Sequence, residues 1–214
     1  MQSESGKVKP IEQGVQEKAN SGVETVVRGN TEFALALYQE LRTEEGNLFF
    51  SPHGISTALA MTYAGACGET AAEMERTLRF ELGRDGTHQA FCRYESMLSG
   101  FQEEEEVELS IANSIWPQAG LEFNDEFMAL VKEYYGSEIR PADYSPDPEV
   151  AREAINQWVE EKTRERIKDL IAERTLSPLT RLVLVNAIYF KGDWTLPFDE
   201  DLTQKETFHV SRDE

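Results

Sequence analysis

The stretch Leu182–Phe190 constrains the fold of this chain more than any other segment, because it is apolar on both alternating faces and carries no charge. Its length and its β-branched and aromatic residues are typical of a strand. A strand that is apolar on both faces should lie in a sheet that is covered on both sides. Asn186 stands in the middle of this stretch. A buried amide there must find hydrogen-bond partners, since an unpaired one costs about 1–3 kcal/mol.

A second segment without charge, residues 55–66, is rich in small residues. A helix that lacks a charged face belongs in the middle of a domain. Apolar residues also recur at helical spacing after Asn30, which can cap a helix. From Val107 to Ile115 they alternate, which predicts a strand with one apolar face that includes Asn113. A further helix from about Thr87 is outlined by four residues, Phe91, Tyr94, Glu95 and Leu98.

Shorter signals predict further element boundaries. Asp147-Pro148 is an N-cap followed by proline at the first helical position, and it predicts an amphipathic helix with one apolar face running from Ile155 to Ile171. Asn124 predicts another helix start. Three more signals are a short strand at Asn47–Phe50, a capping box at Thr70–Glu73 and a strand near Glu138–Asp143.

The order of these elements predicts an α+β fold, because helices are mixed with long strands that are not adjacent in sequence. Residues 1–24 are polar and show no sustained period, so we expect a weakly ordered leader. No linker divides residues 25–214, which we expect to belong to a single domain.

Composition excludes several classes of function. The chain of 214 residues has 21 Lys and Arg against 40 Asp and Glu, a formal charge of −19, which argues against nucleic acid as a partner. Its apolar stretches are far shorter than the roughly 20 residues that span a bilayer, so we expect no membrane partner. The polar start shows no signal peptide, which leaves an intracellular protein or a leader absent from this sequence.

Motifs for catalysis and for cofactors are absent from the sequence. It contains no CxxC or HExxH spacing, no phosphate-binding loop and no nucleophile elbow, so we expect no metal, no cofactor and no enzyme activity. Cys67 and Cys92 could pair, but two free and partly buried thiols are the favoured interpretation.

Five motifs, in family order and spread over residues 30–210, resemble those of the serpins, the serine protease inhibitors. They are Asn47–Met61 (the passage into helix B), Gly65–Thr70 (the turn after it), Leu109–Asn113 (the second strand of sheet A), Ile155–Val159 with Thr163 and Ile167 (helix F), and Leu184–Trp194 with Phe198 (the third strand of sheet A and the turn beyond it). The resemblance implies a serpin-like α+β fold in which helices A–F pack with strands of sheet A.

The resemblance also implies a mechanism. A serpin presents a reactive loop to a protease, and the cleaved loop inserts into sheet A as a new strand, a case that is established for this family. By resemblance Ser51, Pro52, Gly54 and Asn186 form the shutter, where the sheet opens. Lys191 and Trp194 correspond to the breach, where insertion starts. Asn156 and Trp158 lie on the helix that crosses the sheet.

Each of these residues also has an ordinary structural interpretation. Asn186 could be a satisfied core amide, Ser51-Pro52 a helix start, and Trp158 and Trp194 core aromatics. Gly54 stands where many serpins carry a shutter serine, so one hydroxyl is missing. The helix from Thr87 offers only His88 and Arg93 as basic residues, which gives no evident heparin site.

The motifs end at Thr207–Val210, about halfway through the usual serpin chain, so we expect the C-terminal part of the fold and the reactive loop to be absent. The segment alone is then predicted to be inactive, and the strand at 182–190 to have an aggregation-prone edge. The implied partners are a serine protease, or alternatively a cysteine protease, and the missing C-terminal segment. A non-inhibitory serpin-like binding, storage or chaperone protein is the alternative. The resemblance implies an extracellular location, with the cytoplasm as the alternative.

Overall fold

The computed structural model of the protein describes residues 10–100 and 107–207. In these residues the chain forms helices and three strands, followed by a 3-10 turn at Glu200–Leu202. The helices are α1 (Pro10–Leu41), α2 (Pro52–Gly65), α3 (Gly68–Leu78), α4 (Gly83–Gly100), α5 (Asp125–Tyr135) and α6 (Pro148–Lys162), and the strands are β1 (Val107–Pro117), β2 (Glu138–Ile139) and β3 (Leu182–Gly192).

The three strands form one sheet in the order β2-β1-β3. β1 and β3 pair antiparallel over their whole length, from Val107 opposite Gly192 to Pro117 opposite Leu182. The short β2 pairs parallel to β1, with Ile139 opposite Ile115. The predicted strand at 182–190 is confirmed, and it continues to Gly192.

The sheet separates two hydrophobic cores, because alternate residues of a strand face opposite sides. On one side Trp116 and Val185 pack with Ile155, Trp158 and Val159 of α6. On the other side Ile115, with Leu182 and Leu184, packs against residues of the helices α1–α5. α6 therefore lies across one face of the sheet, and the remaining helices cover the other.

The charge-free helix is confirmed as a central, buried element. Ala60, Met61 and Tyr63 of α2 are at most 1% exposed. The helix begins as its sequence predicts, because the Ser51 side chain caps it and Pro52 occupies its first turn. The caps predicted at Asn124 and Asp147 are confirmed as well, since each side chain accepts hydrogen bonds from the first turn of its helix.

The helix start expected at Asn30 is wrong, because α1 already begins at Pro10, while the assignment of residues 1–24 as a weakly ordered leader stays a prediction. Val23 and Val26 are buried on the inner side of α1 together with Phe33, so a sparse apolar stripe holds the helix against the domain from Val23 to Phe33. Residues 1–9 of the predicted leader lie outside the described residues. The single-domain assignment of residues 25–214 stays a prediction.

Two of the local predictions fail because they depended on sequence neighbours alone. Residues 47–50 form no strand, and Phe49 is fully exposed, because a strand needs a partner to pair with. The capping box at Thr70–Glu73 does not form, since α3 already begins at Gly68 with Cys67 at its N-cap.

The expected cover on both faces of the strand at 182–190 is wrong at its C-terminal end. Val185 and Ala187 are buried, but Phe190 is 67% exposed. β3 is an edge strand of the described sheet. Its first residues, from Leu182 to Ala187, contribute to the two cores, and the strand is exposed from Phe190 onward.

Cys67 and Cys92 are free thiols. In the described part of the chain, no helix is both long enough and apolar enough to cross a bilayer.

Candidate functional site

The structure brings the four predicted shutter residues together where the first turn of α2 meets the middle of β3. The Ser51 hydroxyl accepts a hydrogen bond from the Gly54 N–H at 3.1 Å. A β-carbon on Gly54 would lie 2.3 Å from Oδ1 of Asn186 and 3.3 Å from Oγ of Ser51. Pro52 holds the helix start between them. Only glycine at position 54 therefore lets Asn186 approach α2 so closely.

The amide of Asn186 has the partner that its position in the strand required. Its Nδ2 donates to Oδ1 of Asn113, the residue directly opposite on β1, at 2.8 Å. Asn113 is 5% exposed. Its own Nδ2 donates to the backbone oxygen of Tyr135 at 3.1 Å. The pair thus links β3 through β1 to the C-terminal end of α5.

Asn113 is a site residue that sequence reasoning did not single out. The signal was present, because Asn113 is the one polar residue on the apolar face predicted for its strand. Glu95 was missed for the same reason, since a charged side chain stood on the apolar stripe of α4. A polar residue on a buried face marks a group whose partners come from another element, and the sequence does not show which element that is.

Glu95 adds an ionisable group to this network. Its Oε2 lies 3.4 Å from Nδ2 of Asn113, and its Oε1 has no hydrogen-bond partner among the described residues. Burial raises the pKa of this carboxyl group to about 7, because burial penalises the charged form. The Asn113 amide and the Thr57 hydroxyl, which faces Glu95 outside strict hydrogen-bonding geometry, oppose that rise in part.

A second ionisable pair lies beside the network, between α4 and α5. Nδ1 of His88 is 2.6 Å from the Tyr135 hydroxyl, and the His88 side chain is buried. Burial, helped by the nearby Arg84 guanidinium, lowers the pKa of His88 to about 4. Burial also raises the pKa of Tyr135. Both rings are therefore neutral near pH 7 and join α4 to α5 without a charge.

Trp158, predicted on the helix that crosses the sheet, packs edge-on against Trp116 of β1, with ring centroids 6.4 Å apart. Its indole N–H donates to Oε2 of Glu138 at 3.0 Å. Nζ of Lys162 lies 2.6 Å from the other oxygen of Glu138, and this contact is the main cause of the lowered pKa of that carboxyl group. Trp158 thus fixes α6 to the sheet face by an edge-to-face ring contact and by a polar contact at β2.

Asn156, the second predicted residue of α6, is bound to the chain that follows the helix. Its Nδ2 donates to the backbone oxygen of Ile171 at 3.0 Å, and its Oδ1 accepts from the Ile171 N–H at 2.8 Å. The side chain is 7% exposed. One amide group therefore pairs both backbone groups of a residue, as a neighbouring strand would.

The structure does not place the two breach-like residues in this site. Lys191 lies at the end of β3 with its side chain 64% exposed, and its Nζ is 3.9 Å from Oε1 of Glu108. Trp194 is 76% exposed. The breach assignment of both residues stays a prediction.

The site consists of side-chain amides, hydroxyl groups and one carboxyl group that contact one another across α2, β3, β1 and α4. Among the described residues no group of three or more His, Cys, Asp or Glu side chains could hold a metal ion. A cavity of about 570 Å³ opens beside the amide pair, and Cys92, Glu95, Asn113 and Tyr135 are among the residues that line it. A hydrogen bond between neutral amides contributes about 1 kcal/mol, so the Asn113–Asn186 bond adds to the backbone pairing of β1 with β3.

Comparison with known proteins identifies the family. The family model described as "Serpin (serine protease inhibitor)" matches residues 28–214. The chain belongs to the serpin family. The predicted resemblance is thereby confirmed, and the family is one of protease inhibitors rather than of enzymes.

Individual serpins resemble this one over most of its residues. An uncharacterised serpin-like protein of Thermococcus kodakarensis is 42% identical over 185 residues, which are 86% of this chain and 43% of that protein. Antithrombin-III of Mus musculus is 37% identical over 205 residues, 92% of this chain and 44% of that protein. The chain thus spans about half the length of the curated relatives that it matches.

A solved structure supports the fold. The ovalbumin of the emu, Dromaius novaehollandiae, matches with a TM-score of 0.81 at 27% identity, over 89% of this serpin and 52% of that chain. The predicted serpin-like α+β fold, with helices packed on a mixed sheet, is therefore confirmed.

Proposed function

We propose that the complete protein is a serine protease inhibitor that traps its target by inserting a cleaved reactive loop into its sheet. The observation that carries this proposal is the contact at Asn186, where β3 of a serpin-family chain pairs with Asn113 and lies against the first turn of α2. In the family mechanism the inserted loop joins the sheet as a further strand.

The contacts of α6 fit the same mechanism. In the family mechanism the helix over the sheet has to yield while the loop inserts. α6 is held by the edge-to-face contact of Trp158 with Trp116 and by the amide of Asn156, rather than by covalent or metal links in the described residues. Ring contacts and hydrogen bonds such as these can break and form again when the helix moves during a conformational change.

The experiment that tests this proposal incubates the full-length protein with trypsin-like, chymotrypsin-like and elastase-like serine proteases, and with one cysteine protease. We expect an SDS-resistant one-to-one complex with at least one of them. Cleavage of the protein by all of them without any stable complex would overturn the proposal.

The 214-residue chain is the matched control in that experiment. We propose that it forms no complex, because it spans about half of its relatives and the loop of the family follows in the other half. If the 214-residue chain forms no complex while the full-length protein does, the inhibitory activity requires residues outside this chain. An SDS-resistant complex with the 214-residue chain would contradict this assignment.

A second candidate function is a non-inhibitory serpin-like binding, storage or chaperone protein. The similarity to an ovalbumin, over 89% of this chain, supports it. The two candidates separate in the same experiment, because a non-inhibitory serpin is cut by a protease without trapping it.

We further propose an extracellular location, with the cytoplasm as the alternative.

We also propose that heparin does not activate the protein. α4 carries few cations, and His88 is buried. Arg84, which lies on α4 as well, is engaged with the backbone oxygen of Ala66. The net charge of −19 opposes a polyanion in the same way. Heparin should therefore leave the rate of complex formation unchanged.

A further inference from the structure

The Asn113–Asn186 amide pair contacts a third polar residue, Glu95. Asn113 can donate two hydrogen bonds through Nδ2 and accept through Oδ1. One donated bond goes to the Tyr135 oxygen at 3.1 Å, and the other is directed to Oε2 of Glu95, at 3.4 Å. Oδ1 accepts from Asn186. Every polar atom of the Asn113 side chain is thereby engaged.

These contacts decide which way the Asn113 amide points. If the amide turned over, its NH₂ group would face the NH₂ group of Asn186, and its oxygen would face two acceptors, the Tyr135 oxygen and Glu95. The Tyr135 oxygen belongs to the backbone and stays an acceptor at every pH. The Glu95 carboxylate is the contact that can change, because a hydrogen bond to an ionised acceptor is stronger than one to a neutral acceptor.

We propose that Glu95 is a positioning residue for the Asn113–Asn186 pair, and that the strength of this contact between β1 and β3 follows the ionisation of the Glu95 carboxyl group. The consequence for loop insertion rests on the function proposed above, but the contact itself does not. With Glu95 ionised, Asn113 is held firmly toward Asn186. With Glu95 protonated, the hold weakens and the pair exchanges more readily.

The surroundings of Glu95 leave it as the group that titrates near neutrality. Its pKa is raised to about 7 by burial, and no neighbouring charge contributes to the shift. Of the groups on the packed elements, burial lowers the pKa of His53 in α2 and of His88 in α4, and raises that of Cys92 in α4 and of Tyr135 in α5. Two other carboxylates line the same cavity, Glu133 of α5 and Glu138 of β2. The pKa of Glu138 is lowered, mainly by its hydrogen bond with Lys162. β1 contributes the neutral Asn113.

The test follows the side-chain amide signals of Asn113 and Asn186 by NMR in the full-length protein between pH 5.5 and 8.5. We expect both signals to shift with one common midpoint near pH 7. Glu95→Gln should remove this transition from both signals, because glutamine does not titrate. Glu133→Gln is the matched control, since it removes an exposed carboxylate from the rim of the same cavity and should leave the transition in place.

Signals that do not shift over this range, or a transition that persists in Glu95→Gln, would overturn the proposal. If Glu95→Gln does not fold, the carboxyl ¹³C signal of Glu95 in the unaltered protein decides instead, because its midpoint must coincide with that of the two amides. No protease takes part in these measurements. A protein that shows the titration but traps no protease would therefore refute the proposed function and leave the role of Glu95 intact.

Discussion

At Gly54 the absence of a side chain sets the distance between α2 and β3. The serpin resemblance led us to expect a shutter with one hydroxyl fewer, because many serpins carry serine at this position. The structure shows that the space is used, since Oδ1 of Asn186 lies where a β-carbon would be. The glycine is therefore matched to the position of Asn186 rather than simply missing a contact.

Gly54→Ala should lower the free energy of unfolding by about 1–3 kcal/mol, because the new methyl group overlaps Asn186 and forces it to move. Asn186→Ala removes the atom that it would meet. In the Asn186→Ala background, Gly54→Ala should lower the free energy of unfolding by clearly less. Urea denaturation of the single and double variants measures this difference. Equal costs in both backgrounds would show that the strain lies elsewhere.

Individual side-chain partners were the part of the site that sequence could not supply. The need of Asn186 for a partner followed from its buried position, but Asn113 lies 73 residues away in the chain. The pairing depends on the register of β1 with β3, and register is set by the packing of whole strands. The same holds for Asn156, whose partner Ile171 was predicted to be part of the same helix.

At the scale of elements, apolar periodicity predicted where helices and strands lie better than where they end. The helix from Pro148 was predicted to continue to Ile171, because Ile167 and Ile171 fall on its apolar face. It ends at Lys162, and the backbone then turns through positive φ angles of 50° at Arg164 and 62° at Glu165. Ile167 and Ile171 still pack against the core that α6 covers. The apolar pattern therefore predicted the burial of these residues correctly and the length of the helix wrongly.

The connection between α6 and β3 should depend on Asn156. Asn156→Ala removes both hydrogen bonds to Ile171, so we expect a loss of about 1–3 kcal/mol of stability and faster amide hydrogen exchange at residues 167–173. Gln157→Ala, on the exposed face of the same turn, is the control and should change stability by less than about 0.5 kcal/mol. If exchange in this segment is unaltered in Asn156→Ala, the amide is not what holds it.

The exposed end of β3 should govern self-association of the 214-residue chain. Phe190→Lys places a charge on an edge strand where a phenyl ring is 67% exposed, and charges on edges oppose strand pairing between molecules. We expect a lower aggregated fraction in sedimentation velocity. Leu179→Lys alters a residue that is 78% exposed but lies outside the sheet. A similar reduction with Leu179→Lys would mean that general charge, not the edge, is responsible.

Over the whole molecule, the buried His88 and the half-buried Glu95 give stability opposite dependences on pH. The lowered pKa of His88, about 4, stabilises the fold above its unfolded value near 6.5, and this contribution is lost as the pH falls toward 4. The raised pKa of Glu95, about 7, stabilises the fold below its unfolded value near 4.5, and this contribution is lost as the pH rises through 7. Between pH 4.5 and 6.5 the two slopes oppose each other.

When either group is removed, the free energy of unfolding should follow the pH dependence of the remaining group. His88→Gln, which keeps a polar group toward Tyr135, should make the free energy of unfolding fall more steeply as the pH rises from 4.5 to 7. Glu95→Gln should make it rise over the same range. Urea denaturation at successive pH values measures both slopes, and parallel profiles for the two variants would contradict these assignments.

The pairing of β1 with β3 has a consequence for synthesis on the ribosome. Roughly 75 residues separate the end of β1 from the end of β3, and at about 5–20 residues per second their translation takes on the order of 4–15 s. During this interval α1–α5 can already cover one face of β1, while its long antiparallel partner has not been made. The order of translation thus leaves β1 covered on one face and unpaired at its edge for several seconds, and this is the period in which a chaperone would bind the exposed strand.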